Sequence, residues 1–258
     1  TLTLDELIRK EEPTHILAAF DASGPTFRHE MYKEYKANRD ATPEDIKLSV
    51  PYIKSILEAY NIPIYEVDGY EADDVIGTLS RIAAAKDFDT YMMTPDKDFA
   101  QLVSERVKMF KPSRGGADPV VWGVEEVCEE FAIKDPLQVI DILALMGDTA
   151  DNIPGAPGIG PKTAKKLIAE HQSVEKLLVS TDSLKGKQKE IIENNGEQIL
   201  FSKKLVTIET EVPVDFREEN MLRKEADREK LKQLFEELEF RTMAARLVPA
   251  ESTLRRDI

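Results

Sequence analysis

The amino-acid sequence predicts an α/β domain with a mainly parallel central sheet flanked by helices, on three observations. Short apolar, strand-like runs at residues 15–20, 62–67 and 90–94 each stand near a helical pattern, and alternation of that kind builds parallel sheets. Acids close the first and third runs, Asp21 after one and Asp96-Lys97-Asp98 after the other, at the strand ends where open α/β sheets bind ligands. From about residue 136 the pattern turns helical, so a helical lobe follows the sheet-bearing part.

Between the first two runs, Ile46, Val50, Ile53, Leu57 and Tyr60 recur at spacings of four and three. That is the stripe of an amphipathic helix, and it predicts a core-facing one. Glu71-Ala72-Asp73-Asp74 opens the next helix, which carries Val75, Ile76, Leu79, Ile82 and Ala83 on one side. Acids there complement the macrodipole, so this cluster taken alone reads as a cap. Asp96 and Asp98 are two apart just past a strand, and extended backbone sends both to one face. Residues 107–110 and 120–122 read as a further strand pair around the loop 112–119, with Trp122 as a core or edge anchor and Cys128 as a core thiol on a short helix. The apolar run 139–146 is interrupted by Asp141 and is much too short to span a bilayer.

Asp148 and Asp151 follow that run at a spacing that presents both to one ion. The next segment, Gly155-Ala-Pro-Gly158-Ile159-Gly160-Pro161-Lys162-Thr163, is neither a dinucleotide loop nor a phosphate loop. Its glycines are in the wrong order for the first, and Pro161 separates Gly160 from Lys162 for the second. It is a glycine turn feeding a helix with proline at its first position, and free amides near Lys162, Lys165 and Lys166 suit a backbone phosphate. An ordinary helix–turn–helix joint with solvated lysines has the same pattern. Leu231, Leu234, Phe235 and Leu238 mark a late packing helix, and the residues after Pro249 read as a tail or cut linker.

The chain has 258 residues, of which 41% are hydrophobic and 33% charged, enough for a substantial core and a second lobe. One cysteine permits no internal disulfide, which fits a reducing, cytoplasmic compartment. No secretory signal or membrane segment is evident. A net charge of −14 argues, by itself, against nucleic acid. Distribution overrides the sum: acids gather in four clusters, while Lys and Arg concentrate at 28–39 and 162–166. Acids delivered repeatedly to the ends of elements repel one another if they converge, unless divalent cations sit between them. Paired metals are one solution to phosphodiester hydrolysis. Lys36 and Arg39 share a helical face just downstream of Asp21, which suits phosphate steering.

Seven motifs in order, Phe20-Asp21, Phe27-Arg28-His29-Glu30, Tyr35-Lys36-Ala-Asn-Arg39, Gly69-Tyr-Glu71-Ala-Asp73-Asp74, Asp96-Lys-Asp98, Gly147-Asp148-Thr-Ala-Asp151-Asn-Ile-Pro-Gly155 and Gly158-Ile159-Gly160, make the chain resemble the 5′-nuclease (5′-3′ exonuclease) domains of bacterial DNA polymerase I, within the flap-endonuclease superfamily. The resemblance covers nearly the whole chain and implies a PIN/5′-nuclease-like core over 1–146, with a helical arch at about 33–60. A helix-hairpin-helix DNA-binding lobe over 147–215 and a C-terminal helical segment over 216–258 follow. It implies a magnesium- or manganese-dependent phosphodiesterase acting on DNA 5′ ends, nicks and flaps in primer removal and repair. Asp21, Glu71 and Asp73 would chiefly serve one ion, Asp98, Asp148 and Asp151 the other, with Asp96 between them and Asp74 in support. Lys36 and Arg39 would contact the scissile phosphate, with Arg28 as a third catalytic cation. Gly155, Gly158, Ile159, Gly160, Lys162, Thr163, Lys165 and Lys166 would hold duplex backbone, with a potassium ion on the turn carbonyls. The resemblance further implies a monomer in the bacterial nucleoid, with polymerase domains following in the natural protein.

One departure stands out. The family begins with an apolar strand ending in a further metal-binding aspartate, and this chain starts at Thr1 inside what should be the subsequent helix. The absence reads as truncation, which leaves the chain impaired or reliant on another chain to fill the gap. Three competing readings are a non-catalytic DNA-binding fragment, a related metal-dependent ribonuclease and an aspartyl-phosphate phosphatase. The glycine turn argues against the ribonuclease. Ala100, where the phosphatase motif has Thr or Val, argues against the last.

Overall fold

The computed structural model of the protein describes residues 2–111 and 119–247, so the expected loop over 112–118 and the tail after Pro249 lie outside the described residues. In chain order the elements are α1 (Leu2–Glu11), β1 (Ala18–Ala19), α2 (Phe27–Met31), α3 (Glu44–Ala59), β2 (Ile64–Tyr65), α4 (Ala72–Ala85), β3 (Thr90–Met93), a 3-10 turn (Lys97–Leu102), β4 (Val107–Lys111), β5 (Val120–Trp122), α5 (Val124–Phe131), α6 (Gln138–Met146), α7 (Pro161–His171), α8 (Val174–Val179), a second 3-10 turn (Thr181–Ser183), α9 (Gly186–Asn194), α10 (Gly196–Val206), α11 (Glu218–Met221), α12 (Arg228–Glu237) and α13 (Arg241–Leu247). They fall into two units. One holds the residues up to Ala18, Ala41–Tyr65 and those from Arg217 onward; the other holds Ala19–Asp40 and Glu66–Phe216.

In the first unit α3 is the long element, and its apolar stripe meets the core over only half its length. Leu57 and Tyr60 are buried, but Ile46 and Ile53 remain 53% and 44% exposed, which corrects the expectation of a wholly core-facing helix. For Ile46 the cause is the length of the partner helix, whereas Ile53 lies within the span that helix covers and is open on its flank. At about 1.5 Å per residue α3 extends about 24 Å and α12 about 15 Å. The shorter helix covers α3 from Tyr52, whose hydroxyl donates to Glu237, to Ala59, whose carbonyl accepts from Asp227 N–H. Leu231 and Phe235 of α12 are buried. The strand expected at 15–20 forms only two residues of ladder: Ala18 N–H donates to Pro63, while Ile16 N–H instead reaches Met221 and Arg223 N–H reaches Thr14.

The second unit contains the sheet β3–β4–β5. β3 and β4 pair in parallel from Thr90↔Val107 to Met93↔Phe110, across a connection that holds the first 3-10 turn. β4 and β5 pair antiparallel, as the short connection between them demands. Among the described residues the strands form two small sheets, one of two strands and one of three. Met92, Val107 and Met109 face the core while Tyr91 and Met93 face out, the period of two expected of a half-buried strand. Behind them α6 is apolar nearly all round: Val139, Ile142, Leu143, Ala144 and Leu145 are buried against neighbours that include α7 and α10. Asp141, alone on that helix in being charged and buried, accepts from Val174 N–H and Lys203 Nζ. Among the described residues no helix is long and apolar enough to cross a membrane.

Candidate active site: a cleft lined by carboxylates

Seven acids from separate elements of the second unit, Asp21, Glu71, Asp73, Asp96, Asp98, Asp148 and Asp151, line one cleft. Asp21 follows β1 and accepts from Ala72 N–H at 2.8 Å, which ties it to the start of α4. Glu71 is the residue before α4 and Asp73 lies in its first turn. Asp96 caps the 3-10 turn, accepting from Asp98 N–H at 3.0 Å, so the two acids stand on one tight corner after β3. Asp148 and Asp151 occupy a loop closed by Asp148 and Ile153, which exchange both backbone hydrogen bonds. Gly147 and Gly155 sit back to back beneath that loop, at φ of +70° and +58°, and a Cβ on either would collide with the backbone of the other. Only glycine fits there.

The cleft is electrostatically crowded. Burial first, then Asp96, Glu71 and Asp21, push the Asp73 carboxyl up to about 7. Burial, then Asp96, Asp148 and Asp151, push Asp98 up to about 7 as well. Each acid therefore feels charges carried by other elements, the behaviour of like groups sharing one site.

Cations from the segment after α2 answer part of that field. Lys36 donates to Glu71 and lies 3.7 Å from Asp151, and Arg39 pairs with Asp151. Backbone geometry holds them in place: Lys36 adopts φ +56° and its N–H donates to the Asp151 carbonyl, Asn38 reaches the Thr149 carbonyl, and Asn152 reaches the Glu34 carbonyl. Beside them lies Tyr35, which the sequence marks only as a member of one motif. Its buried hydroxyl stands 2.9 Å from Glu71 Oε2 and 3.1 Å from Asp151 Oδ2, one proton between two carboxylates. Burial and those two charges drive its ionisation far above the ordinary range. An aromatic next to cations was the available signal. As they stand, no three Asp, Glu, His or Cys side chains among the described residues enclose an ion position.

Two residues expected in the site do not belong in it. Asp74, expected to support a metal, is fully buried, and Arg28, expected among the catalytic cations, is 3% exposed. Arg28 grips Asp74 through two parallel bonds of 2.8 Å, and donates to Glu71 at 3.0 Å and to the carbonyls of Leu205 and Thr207. Asp74 also accepts from the N–H groups of Glu71 and Glu209, so its lone pairs are occupied. The reason is helical: consecutive residues point about 100° apart, so Asp73 faces the cleft and Asp74 the interior.

The glycine turn divides in the same way. Gly155 is buried, with its N–H given to Ser202 and its carbonyl to Gln198, and Ile159 is a core residue whose N–H closes a turn onto Ala156. Neither is free to meet a backbone phosphate, which corrects their assignment as DNA contacts. Gly158, Gly160 and Lys162 are exposed, and Thr163 is half-buried. Lys165 lines the acidic cleft instead, bound to the Glu130 carbonyl and 3.3 Å from its carboxylate, above the ring of Phe131. Lys166 points outward, 3.9 Å from Glu170.

The fold is of the α/β class and its cleft is lined by acids. The chain belongs to the 5′-3′ exonuclease family: the family's N-terminal resolvase-like domain matches residues 1–132, and its C-terminal SAM fold matches residues 134–229. Among its relatives, DNA polymerase I of Bacillus caldotenax is 41% identical over 248 residues, covering 96% of this chain and 28% of that protein. DNA polymerase I of Bacillus subtilis is 41% identical over 247 residues, covering 95% and 28%. The chain thus spans little more than a quarter of these relatives. Two solved structures share the fold: the zinc-bound T5 5′-exonuclease, with a TM-score of 0.64 at 24% identity over 80% of this chain and 78% of that one, and the catalytic core of Rad2 in complex with DNA, with 0.62 at 15% identity over 96% and 84%.

Proposed function

We propose that this domain is the structure-specific 5′ nuclease of a DNA polymerase I, hydrolysing phosphodiester bonds at 5′ ends, nicks and flaps with two divalent ions. The observation that carries the reading is the convergence of seven carboxylates on one cleft, where burial first and then the neighbouring charges push Asp73 and Asp98 up to about 7. A catalytically idle surface has no reason to sustain such repulsion, and hard, oxygen-only, anionic donors suit magnesium or manganese. Asp21, Glu71 and Asp73 would hold one ion and Asp98, Asp148 and Asp151 the other, with Asp96 shared. Such ions supply Lewis-acid polarisation and stabilise charge on the leaving oxygen.

The chain's own groups supply binding and orientation. Lys36 and Arg39, which now neutralise Glu71 and Asp151, are placed to turn to the scissile phosphate once the acids have another counter-charge. Tyr35 keeps Glu71 and Asp151 at a set separation through its shared proton. The exposed backbone of Gly158 and Gly160, with Lys162 and Lys166, offers donors to duplex phosphates without reading base edges, and the turn's carbonyls offer a place for potassium. We place the natural protein in the bacterial cytoplasm, as a monomer.

Asp98→Asn in the full-length protein tests the reading, because it deletes one anionic ligand at almost constant volume. Flap cleavage in magnesium should fall by a factor on the order of 10² or more while flap binding, read by fluorescence anisotropy, stays within about twofold. Parental turnover by that variant would end the two-ion assignment.

A further inference from the structure

The backbone from the end of α10 to Val212 contributes nothing to the cleft lining, yet buried side chains from three elements fasten onto it. Gln101, 3% exposed in the first 3-10 turn, makes the most complete attachment. Its Nε2 donates to the carbonyl of Val206 at 3.0 Å and to the carbonyl of Asp98 at 3.0 Å, and its Oε1 accepts from Ile208 N–H at 2.9 Å. Both amide protons and the amide oxygen are used. On the opposite bank, Arg28 donates to the Leu205 and Thr207 carbonyls while holding the Glu71 carboxylate. One stretch of chain therefore anchors the backbone of a cleft acid on one side and the carboxylate of another on the other.

We infer that Gln101 is a positioning residue for the acidic cleft and that residues 205–208 are the frame against which both banks are registered. This rests on the reading of the cleft as a metal site. Packing alone would be served by methionine, which has nearly the same volume and no polar atoms to satisfy. Glutamine instead spends two hydrogen bonds on a segment more than 100 residues away and a third on the Asp98 carbonyl three residues back. Ligand sets function only within about 0.5 Å of their working geometry, so a frame that fixes the Asp98 corner acts on ion affinity without touching the ion.

Calorimetric titration of Mn²⁺ into the DNA-free protein separates this role from simple stabilisation. Gln101→Met should weaken Mn²⁺ binding roughly tenfold, the lower end of what outer partners of metal ligands contribute. Thr78→Val is the comparison: Thr78 Oγ1 accepts from Val212 N–H at 3.0 Å, four residues beyond that frame, and Thr78 does not line the cleft. That variant should lower Tm and leave Mn²⁺ affinity within about twofold. Equal loss of affinity in both, or none in Gln101→Met, overturns the inference while the metal reading stands; absence of saturable Mn²⁺ binding in the parent overturns both. Should Gln101→Met fail to fold, hydrogen exchange in the parent decides. Because coupling is reciprocal, saturating Mn²⁺ should slow the Ile208 amide more than the Val174 amide, and equal slowing of the two would refute the frame.

Discussion

The cleft and the brace beneath it are built from the same residue types and have opposite electrostatics. In the cleft eight acids, Glu130 among them, face four cations, and burial together with the neighbouring acids drives two carboxyls to about 7. In the brace Arg28 and Asp74 meet one to one with complementary hydrogen bonds, and the fully buried Asp74 has every contact a donor can supply. Asp73 and Asp74 are neighbours in sequence and sit on either side of this divide. The difference teaches that a carboxylate's role follows how completely its charge is matched: Asp74 is matched donor for donor, whereas the cleft acids outnumber the cations beside them even though Lys36 and Arg39 pair with Glu71 and Asp151.

Breaking the brace should produce the largest effect on stability. Arg28→Ala leaves Asp74 buried and unpaired, so unfolding by urea should show a loss of about 3–5 kcal/mol, against the small loss expected for removing an exposed cation. Lys166→Ala, whose partner Glu170 lies 3.9 Å away at the surface, serves as that reference and should change stability by less than about 1 kcal/mol.

The cleft should show the reverse pH behaviour to a salt-bridged protein. Asp73 and Asp98 rise from 3.8 to about 7 on folding, so between those values the folded state binds more protons than the unfolded. Their contribution to stability is then fully present below about pH 4 and is lost as pH rises through 7. Without divalent ions, Tm should fall between pH 5 and 8; saturating magnesium should flatten that fall, because a ligand for the ionised acids stabilises the folded state alone. A metal-free Tm that rises over the same range would contradict the crowding of the cleft.

It follows that Asp98→Asn, damaging to cleavage, should stabilise the metal-free protein at pH 8. The expected gain is on the order of 1 kcal/mol after allowing for solvent screening and for relaxation of the neighbouring acids. Equal stability of parent and variant would show that the repulsion is relieved elsewhere.

The smallest effect concerns the glycine turn, where the structure separates lysines that the sequence grouped. Lys162→Ala with Lys166→Ala should reduce the slope of log affinity for duplex DNA against log salt by about 0.9 for each phosphate that is no longer neutralised. Slopes that coincide with the parent's would leave both lysines as solvated surface.

Much of this was legible in the chain itself. The strands expected at 90–94, 107–110 and 120–122 from apolar alternation and turn residues stand at 90–93, 107–111 and 120–122, the acids stood at the ends of elements, and the glycine turn with Pro161 announced the start of α7. These are local properties, determined by backbone sterics and by periods of two and 3.6. What local periodicity sets is the angle between neighbouring side chains, never the rotation of an element against its surroundings. Only tertiary packing turned Asp73 to the cleft and Asp74 to Arg28, left Ile46 of the α3 stripe uncovered because α12 is too short, and buried Gly155 and Ile159 while Gly158 and Gly160 stayed open. The same holds for Tyr35 between Glu71 and Asp151, and for Gln101 between Asp98 and Val206: partners 36, 116 and 105 residues away are joined by the folded core, and no spacing along the chain encodes pairings at that range.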